Sequence, residues 1–186
     1  GDDPEVLSRL GHSIRLIGER GEAMMDFVER FRSFTLLPPP QLKEVVVSEF
    51  IRDQLVLLTP GLQEKGIRIK TETNSPDLRI QFDERQISQV IHNLVSNAAN
   101  ALAGADNPEL HILWGREDRG SFIRVTDNGI GIPEENRALV FVPFYTTRKD
   151  GSGIGLSISR QIMHLHQGSI ELDSEPGKFT TICLWF

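Results

Sequence analysis

From Val6 to Thr35 the apolar positions fall in steps of three and four: Leu7, Leu10, Ile14, Ile17, Met24, Val28 and Phe31, with Gly21 as the one gap. Leu16, Met25, Phe27 and Phe34 widen the stripe, and Arg9, Arg15, Glu19, Glu22, Glu29 and Arg30 fill the other faces. This rhythm predicts a coiled-coil-like helix whose seam packs on a partner helix. An amphipathic helix lying on its own domain would satisfy the same pattern. Pro38-Pro39-Pro40 ends the helix, because proline disfavours helix at the residue before it and three in a row favour a stiff, extended spacer. The chain therefore divides into a helical segment at 1–37, a proline hinge at 38–44 and a domain at 45–186.

Within that domain the period changes repeatedly. Glu44 to Val47 reads as a short strand, and Ser48 as the cap of a helix carrying Phe50, Ile51, Leu55, Leu58 and Leu62. Pro60 and Gly61 fall inside this pattern and predict a kink or early fraying. Ile67 to Thr73 and Leu78 to Phe82 alternate as half-buried strands. Asp83 with Gln86 resembles a capping box opening a helix through Ile87, Val90, Ile91, Leu94, Val95, Ala98 and Leu102. Strands follow at Glu109 to Gly115 and Ser121 to Thr126, turned by Asp118-Arg119-Gly120. Gly129 to Gly151 is irregular, with a short helix after Pro133. A helix over Gly153 to His166 precedes a hairpin of Ser169 to Asp173 and Thr180 to Phe186. The order predicts an α+β fold: a two-layer α/β sandwich, a mixed sheet with helices on one face.

Composition narrows the classes. With 186 residues, 39% hydrophobic and 25% charged, the chain is that of an ordered globular protein. A net charge of −6 argues against a non-specific nucleic-acid binder, which carries a basic face. The single cysteine, Cys183, excludes an internal disulfide and sits in an apolar run as a small core residue. No apolar stretch is long enough to span a bilayer, and no signal peptide is visible, so the expected setting is cytoplasmic, with any membrane anchor carried elsewhere in a longer parent.

The candidate chemistry begins at Asp127-Asn128-Gly129-Ile130-Gly131. A carboxylate at a strand end can accept hydrogen bonds from a ligand's amine, and Gly129 and Gly131 let backbone turn tightly beside it. Upstream, Asn93 and Asn97 share one helix face a turn apart, with Asn100 near them. Their amide oxygens suit Mg²⁺, which keeps several waters and takes few protein ligands beside phosphate oxygens; hydrogen bonds to neighbouring loops are the other use for them. Downstream, Gly151-Ser152-Gly153-Ile154-Gly155 opens a helix starting Leu156-Ser157, offering free N–H groups and a positive dipole end to phosphate. No Lys-Ser/Thr follows the last glycine, so this is not a Walker loop, and no strand lysine or catalytic-loop signature makes it a protein-kinase loop. Between the glycine clusters, Phe141 to Lys149 reads as a lid held down by Phe141 and Phe144, with Arg148 and Lys149 reaching outer phosphates.

Together these motifs resemble sensor histidine kinases of two-component systems. Asn93 to Ala98 is similar to their asparagine box, Asp127 to Gly131 to their first glycine box, Phe141 to Phe144 to their phenylalanine box and Gly151 to Gly155 to their second. Phe31-Arg32-Ser33-Phe34 and Leu37 to Pro40 resemble the second dimerisation helix and its hinge, most like those of nitrogen-regulation and dicarboxylate-sensing kinases. The resemblance implies the Bergerat ATP-binding fold, shared with gyrase, heat-shock chaperone and mismatch-repair ATPases. It implies ATP and Mg²⁺ as cofactors, Asp127 on the adenine amino group, Asn97 on Mg²⁺ and Asn93 beside the phosphates or the ion's waters. Gly129, Gly131, Gly151, Gly153, Gly155 and Leu156 would shape the pocket, and Thr180 complete the adenine site. Implied partners are a response-regulator receiver domain and a second copy through the N-terminal helix, with no nucleic-acid or membrane contact by this segment.

Some positions depart from the family pattern. Asn100 stands where many members carry lysine or arginine, and Phe179 stands where glycine usually precedes Thr180. No phosphoacceptor box is found: His12 is followed by Ser13-Ile14-Arg15-Leu16, without the acidic neighbour and later proline. The expectation is a chain that binds ATP without phosphorylating itself. Asn93 stands where hydrolytic relatives place a glutamate base, and an amide cannot take a proton from water. That favours phosphoryl transfer to a protein histidine, and the alternatives are an ATPase or anti-sigma serine kinase of the same fold, or a non-catalytic nucleotide-sensing scaffold.

Overall fold

The structure is a computed structural model and describes residues 37–148 and 151–186, with the single positions Leu16, Gly18, Gly21 and Met25 before them in helical conformation. The rest of the helix expected over Val6 to Thr35, His12 included, lies outside the described residues, as does Lys149. The chain divides into two compact units, Gly1–Leu37 and Pro38–Phe186. In the second unit, β1 (Lys43–Val46) runs straight into α1 (Val47–Glu64), followed by β2 (Arg68–Thr73), β3 (Arg79–Phe82) and α2 (Glu84–Ala101). Next come β4 (Glu109–Glu117), β5 (Gly120–Asp127), the short α3 (Glu134–Arg137), a 3₁₀ turn at Leu139–Phe141, α4 (Gly155–Leu165), β6 (Ser169–Glu175) and β7 (Phe179–Trp185).

The five-stranded sheet has the order β2-β4-β5-β7-β6, and β1 pairs with β3 in a separate antiparallel ribbon. Only β2 with β4 is parallel; the other neighbours are antiparallel. The sheet is therefore mixed, as the α/β sandwich expected from the sequence requires. Successive side chains on a strand face opposite ways, so Ile123, Val125 and Asp127 of β5 share one face. Leu110 and Ile112 of β4 and Ile182 and Leu184 of β7 join that buried layer. Helix α2 covers it with Ile87, Val90 and Ile91, and α4 with Ile162 and Met163, all essentially without solvent contact. Each such side chain contributes roughly 1.5–3 kcal/mol of apolar transfer, so this layer fixes the position of whatever else lies on it. The opposite face carries a smaller cluster of Phe122, Cys183 and Trp185. Cys183 is buried as expected, and burial pushes its thiol pKa up.

Two local expectations are corrected. Ser48 does not cap α1: Val46 stands at the cap without a side-chain bond, because β1 feeds the helix directly. The Ser48 hydroxyl instead donates to the Pro76 carbonyl at 2.6 Å and accepts from Trp114 Nε1 at 3.3 Å. Nor does helix α1 fray early at Pro60, since it continues to Glu64. Proline removes one helical donor, but Val56, whose carbonyl loses it, lies on the exposed side where water can replace the bond.

Asp83 does cap α2, its carboxylate accepting from Arg85 N at 3.0 Å and Gln86 N at 3.1 Å. The return arm of a capping box is absent, because Gln86 Nε2 donates to the Pro38 carbonyl at 2.9 Å instead. Gln41 N adds a bond to Asp83 Oδ2 at 2.8 Å. The Asp83 N–H that Gln86 would have satisfied donates to His166 Nε2 at 3.0 Å, so the His166 proton sits on Nδ1 and donates to the Ile162 carbonyl at 2.8 Å. One imidazole thus ties the start of α2 to the end of α4. His166→Ala is expected to cost about 1–2 kcal/mol, the range for a half-buried donor left without its acceptor, and a shift in the denaturant midpoint would measure it.

Candidate nucleotide site

The site is built where β5 ends beneath α2. Period-two alternation turns Asp127 inward, leaving it 5% exposed in the apolar layer. Its carboxylate accepts from Gly129 N at 3.0 Å, and burial lifts its pKa from an ordinary 3.8 to about 6 against that bond. The glycines after it answer to the protein's own backbone. A Cβ on Gly129 would overlap the Ala101 carbonyl, and one on Gly131, where φ is +66°, would overlap the Glu175 carbonyl. Ile130 N donates to Ala101 O at 3.1 Å, and Gly177 N to Ile130 O at 2.7 Å. The first glycine box is therefore clamped between the end of α2 and the β6–β7 turn.

Thr180 lies directly opposite Asp127 on β7 despite the preceding Phe179, and both are buried. Ser174 of β6 is the next residue along the same row and is only 2% exposed. Its hydroxyl accepts from Ile132 N at 2.8 Å, donates to the Phe179 carbonyl at 2.7 Å and lies 3.1 Å from Thr180 Oγ1. Sequence reading missed Ser174. A buried serine on the inner face of a strand was the available signal, and it became legible only once the β6–β7 register was known.

Asn93 and Asn97 both lie half-buried on α2. The Asn93 amide donates to the Gly155 carbonyl at 3.2 Å and to Ser159 Oγ at 3.4 Å, fastening α2 to the first turn of α4. Asn97 has no side-chain hydrogen-bond partner among the described residues. Asn100 turns back on its own helix, donating to Ser96 O at 2.6 Å. No side chain caps α4, so the N–H groups of its first turn, Gly155 and Leu156 among them, are available to an anion. At Gly153, where φ is +67°, a Cβ would overlap the Phe144 backbone, and Phe144 N donates to Gly153 O at 2.9 Å.

The segment between the glycine boxes is anchored unevenly. Phe141 is buried with the Arg160 guanidinium 5.4 Å from its ring centre, whereas Phe144 stands 39% exposed at φ +66°. Tyr145 donates to Asn136 Oδ1 at 2.6 Å. Arg148 is exposed with no ion-pair partner among the described residues, and a Cβ on Gly151 would overlap Thr146 Oγ1. Elsewhere, a groove of about 510 Å³ between α1 and the β2–β4 edge is lined mainly by apolar residues, Ile51, Leu55, Val56, Pro60 and Trp114, with Ser48, Thr59, Thr71 and Arg52 as its polar members.

A buried acceptor at a strand end, glycine turns held by backbone and an uncapped helix start define a nucleotide-binding α/β sandwich. The chain belongs to the family of histidine kinase-, DNA gyrase B- and HSP90-like ATPases, which it matches over residues 82–186. It is 33% identical to the nitrogen regulation protein NtrY of Azorhizobium caulinodans across 88% of this chain and 21% of that protein. It is 31% identical to the sensor histidine kinase ZraS of Salmonella typhimurium across 77% of this chain and 31% of that one. It thus spans about a fifth to a third of these relatives. Among solved structures, the nucleotide-free catalytic domain of histidine kinase ThkA superposes with a TM-score of 0.70 at 32% identity, over 77% of this chain and 93% of that one. ThkA in complex with the response regulator TrrA gives 0.73 at 28% identity, over 99% of this chain and 52% of that one. Among the described residues no helix is long and apolar enough to cross a membrane, and no group of three or more His, Cys, Asp and Glu could hold a metal.

Proposed function

We propose that this chain is the ATP-binding catalytic portion of a sensor histidine kinase, delivering the γ-phosphoryl of Mg·ATP to a histidine for relay to a response-regulator aspartate. The observation that carries this reading is the pairing of an inward, buried Asp127 with the uncapped start of α4, an acceptor for the base and donors for the phosphates. Asp127 and Thr180 hold the adenine edge. The glycine-rich approach to α4, with Gly151, Gly153, Gly155 and Leu156, offers backbone N–H groups to phosphate. Arg148 and Lys149 neutralise outer phosphate charge, on a segment seated by Phe141 and bearing Phe144.

Asn97 fits Mg²⁺: it is a hard oxygen donor one turn from Asn93 on the same face of α2 and has no side-chain hydrogen-bond partner among the described residues. Bound there with its waters, the ion supplies charge neutralisation on the phosphates. Asn93, committed through its N–H₂ to Gly155 and Ser159, holds α2 and α4 at a set spacing and keeps its oxygen for the phosphates or ordered water. An amide at that position cannot act as a base toward water, which favours transfer over hydrolysis. Catalysis would then rest on positioning and charge neutralisation. A receiver domain and a second copy, meeting through the N-terminal helix, are the proposed partners, and the cytoplasm the proposed setting.

Calorimetry of the 186-residue chain with ATP, with and without Mg²⁺, tests the reading. Binding strengthened by Mg²⁺ is expected. Asn97→Ala should remove about tenfold of that strengthening, one lost oxygen ligand, and leave metal-free ADP binding unchanged. No binding at millimolar nucleotide would instead support the scaffold alternative, and steady hydrolysis surviving Asn93→Ala would support an ATPase.

A further inference from the structure

We infer that Ser174, which does not face the nucleotide itself, is a positioning residue that fixes Thr180 as a hydrogen-bond acceptor and so makes the buried end of the pocket select a base bearing an amino group. The inference rests on the proposed nucleotide site and adds to it the residue that sets base discrimination. The starting point is register. Leu110, Asp127, Thr180 and Ser174 occupy one cross-strand row over β4, β5, β7 and β6, and directly opposed residues of antiparallel strands point to the same face. All four are buried, so the polar side-chain atoms of Asp127, Thr180 and Ser174 must satisfy one another, nearby backbone or a ligand.

A serine hydroxyl has one hydrogen and two lone pairs. The Phe179 carbonyl, 2.7 Å from Ser174 Oγ, can only accept, and it takes the hydrogen. The Ile132 N–H, 2.8 Å away, can only donate, and it takes one lone pair. What remains on Ser174 is a single lone pair, facing Thr180 Oγ1 at 3.1 Å. Thr180 must therefore spend its only hydrogen on Ser174, which leaves it nothing but lone pairs for the pocket. Asp127 beside it uses Oδ1 on Gly129 N and, when ionised, is also an acceptor only.

Two neighbouring acceptors form the buried edge. An exocyclic amine can donate to that edge directly or through a water, whereas a carbonyl in the same place meets lone pairs. A site whose polar groups are left facing the wrong partner discriminates strongly, because those groups lose their water without gaining a bond. Without the Ser174 hydroxyl, the Thr180 hydrogen is released and can turn toward the pocket, where a carbonyl-bearing base would accept it.

The test compares Mg·ATP with Mg·ITP, whose base carries a carbonyl where adenine carries the amine, by calorimetry on the full chain. Wild type is expected to prefer ATP. Ser174→Ala should reduce the ATP/ITP affinity ratio at least about fivefold, Thr180→Val should reduce it comparably, and adding Ser174→Ala to Thr180→Val should change the ratio no further. A Ser174→Ala protein that weakens both nucleotides equally, with a lowered melting temperature alone, would make the serine merely structural and overturn the proposal. An unchanged ratio in Thr180→Val would overturn it even if the alanine variant at Ser174 failed to fold. Wild type binding neither nucleotide would remove the nucleotide site itself, an outcome distinct from binding both without preference, which would remove only the role of Ser174.

Discussion

Asp127→Asn is expected to make the protein more stable while weakening its hold on ATP. The carboxyl group is buried, and that burial raises its pKa from 3.8 to about 6. Between those two values the folded protein holds a proton that the unfolded chain has released, so stability falls as pH rises through this window. Above pH 6 both states are ionised and the full cost is present, on the order of 3 kcal/mol at about 1.4 kcal/mol per pH unit. Asparagine carries no charge to bury, and its amide oxygen can still accept from Gly129 N. Its extra N–H₂ needs partners, which takes back part of the gain, so a net 1–3 kcal/mol is the order expected at pH 7.5. Denaturant curves of both proteins should show the difference shrinking to zero or reversing as pH falls below 3.8, where the wild-type carboxyl becomes protonated in the unfolded chain as well as the folded one. Mg·ATP affinity should fall about tenfold or more, because a charge-assisted bond to the adenine amine is replaced by a neutral one. Equal stability across pH would mean that the carboxylate is not a buried charge. Equal affinity would mean that it does not meet the base.

Gly131→Ala is expected to be among the most damaging single-methyl additions in the described residues. An L side chain at φ +66° costs roughly 1–2 kcal/mol in itself. Here the new methyl group also collides with the Glu175 carbonyl, a backbone atom of β6 that cannot swing aside, which adds roughly 1–3 kcal/mol of overpacking. The β6–β7 turn would have to shift, and with it the Gly177 N to Ile130 O bond and the Ser174 contacts that hold Ile132. Gly177→Ala is the matched control, since its φ is +74° but nothing stands within 4 Å of the added Cβ. Chemical denaturation should give a loss of about 3 kcal/mol or more for Gly131→Ala and about 1 kcal/mol for Gly177→Ala. Equal losses would show that backbone strain alone makes these glycines necessary. In any folded Gly131→Ala protein, ATP affinity should drop as well, because the first glycine box runs through the displaced segment.

Much of the fold was legible from local patterns. Apolar residues at Ile87, Val90, Ile91 and Leu94 have no reason to repeat at helical spacing unless one helix face is buried, and all four are. Strand pleat likewise placed Asp127 on the same side as Ile123 and Val125. The errors fell where two local signals competed. Ser48 has the chemistry of a cap, but the chain entered α1 without a break and carried it one step inside the helix, where Pro76 and Trp114 used its hydroxyl. Pro60 has the chemistry of a breaker, yet the helix runs on to Glu64, because the carbonyl left without a donor belongs to exposed Val56, where water can take the bond. The capping box was half right, because Asp83 needs only its own neighbours while Gln86 found Pro38, a partner that no sequence window around α2 contains.

The amino-acid sequence by itself determined the family motifs, the alternation that turns Asp127 inward and the glycine turns on either side of the segment from Phe141 to Lys149. Each depends on residues a few positions apart, whose relative placement follows from the 3.6 and 2.0 periods of helix and strand. Tertiary structure alone decided that Thr180 and Ser174 stand in one row with Asp127, that His166 joins α2 to α4, and that Gly131 is pressed against β6. Those contacts join residues 42 to 83 positions apart in the cases of Ile132 with Ser174 and Asp83 with His166. Register between strands and the seating of one helix on another set them, and neither quantity is written in any short stretch of chain.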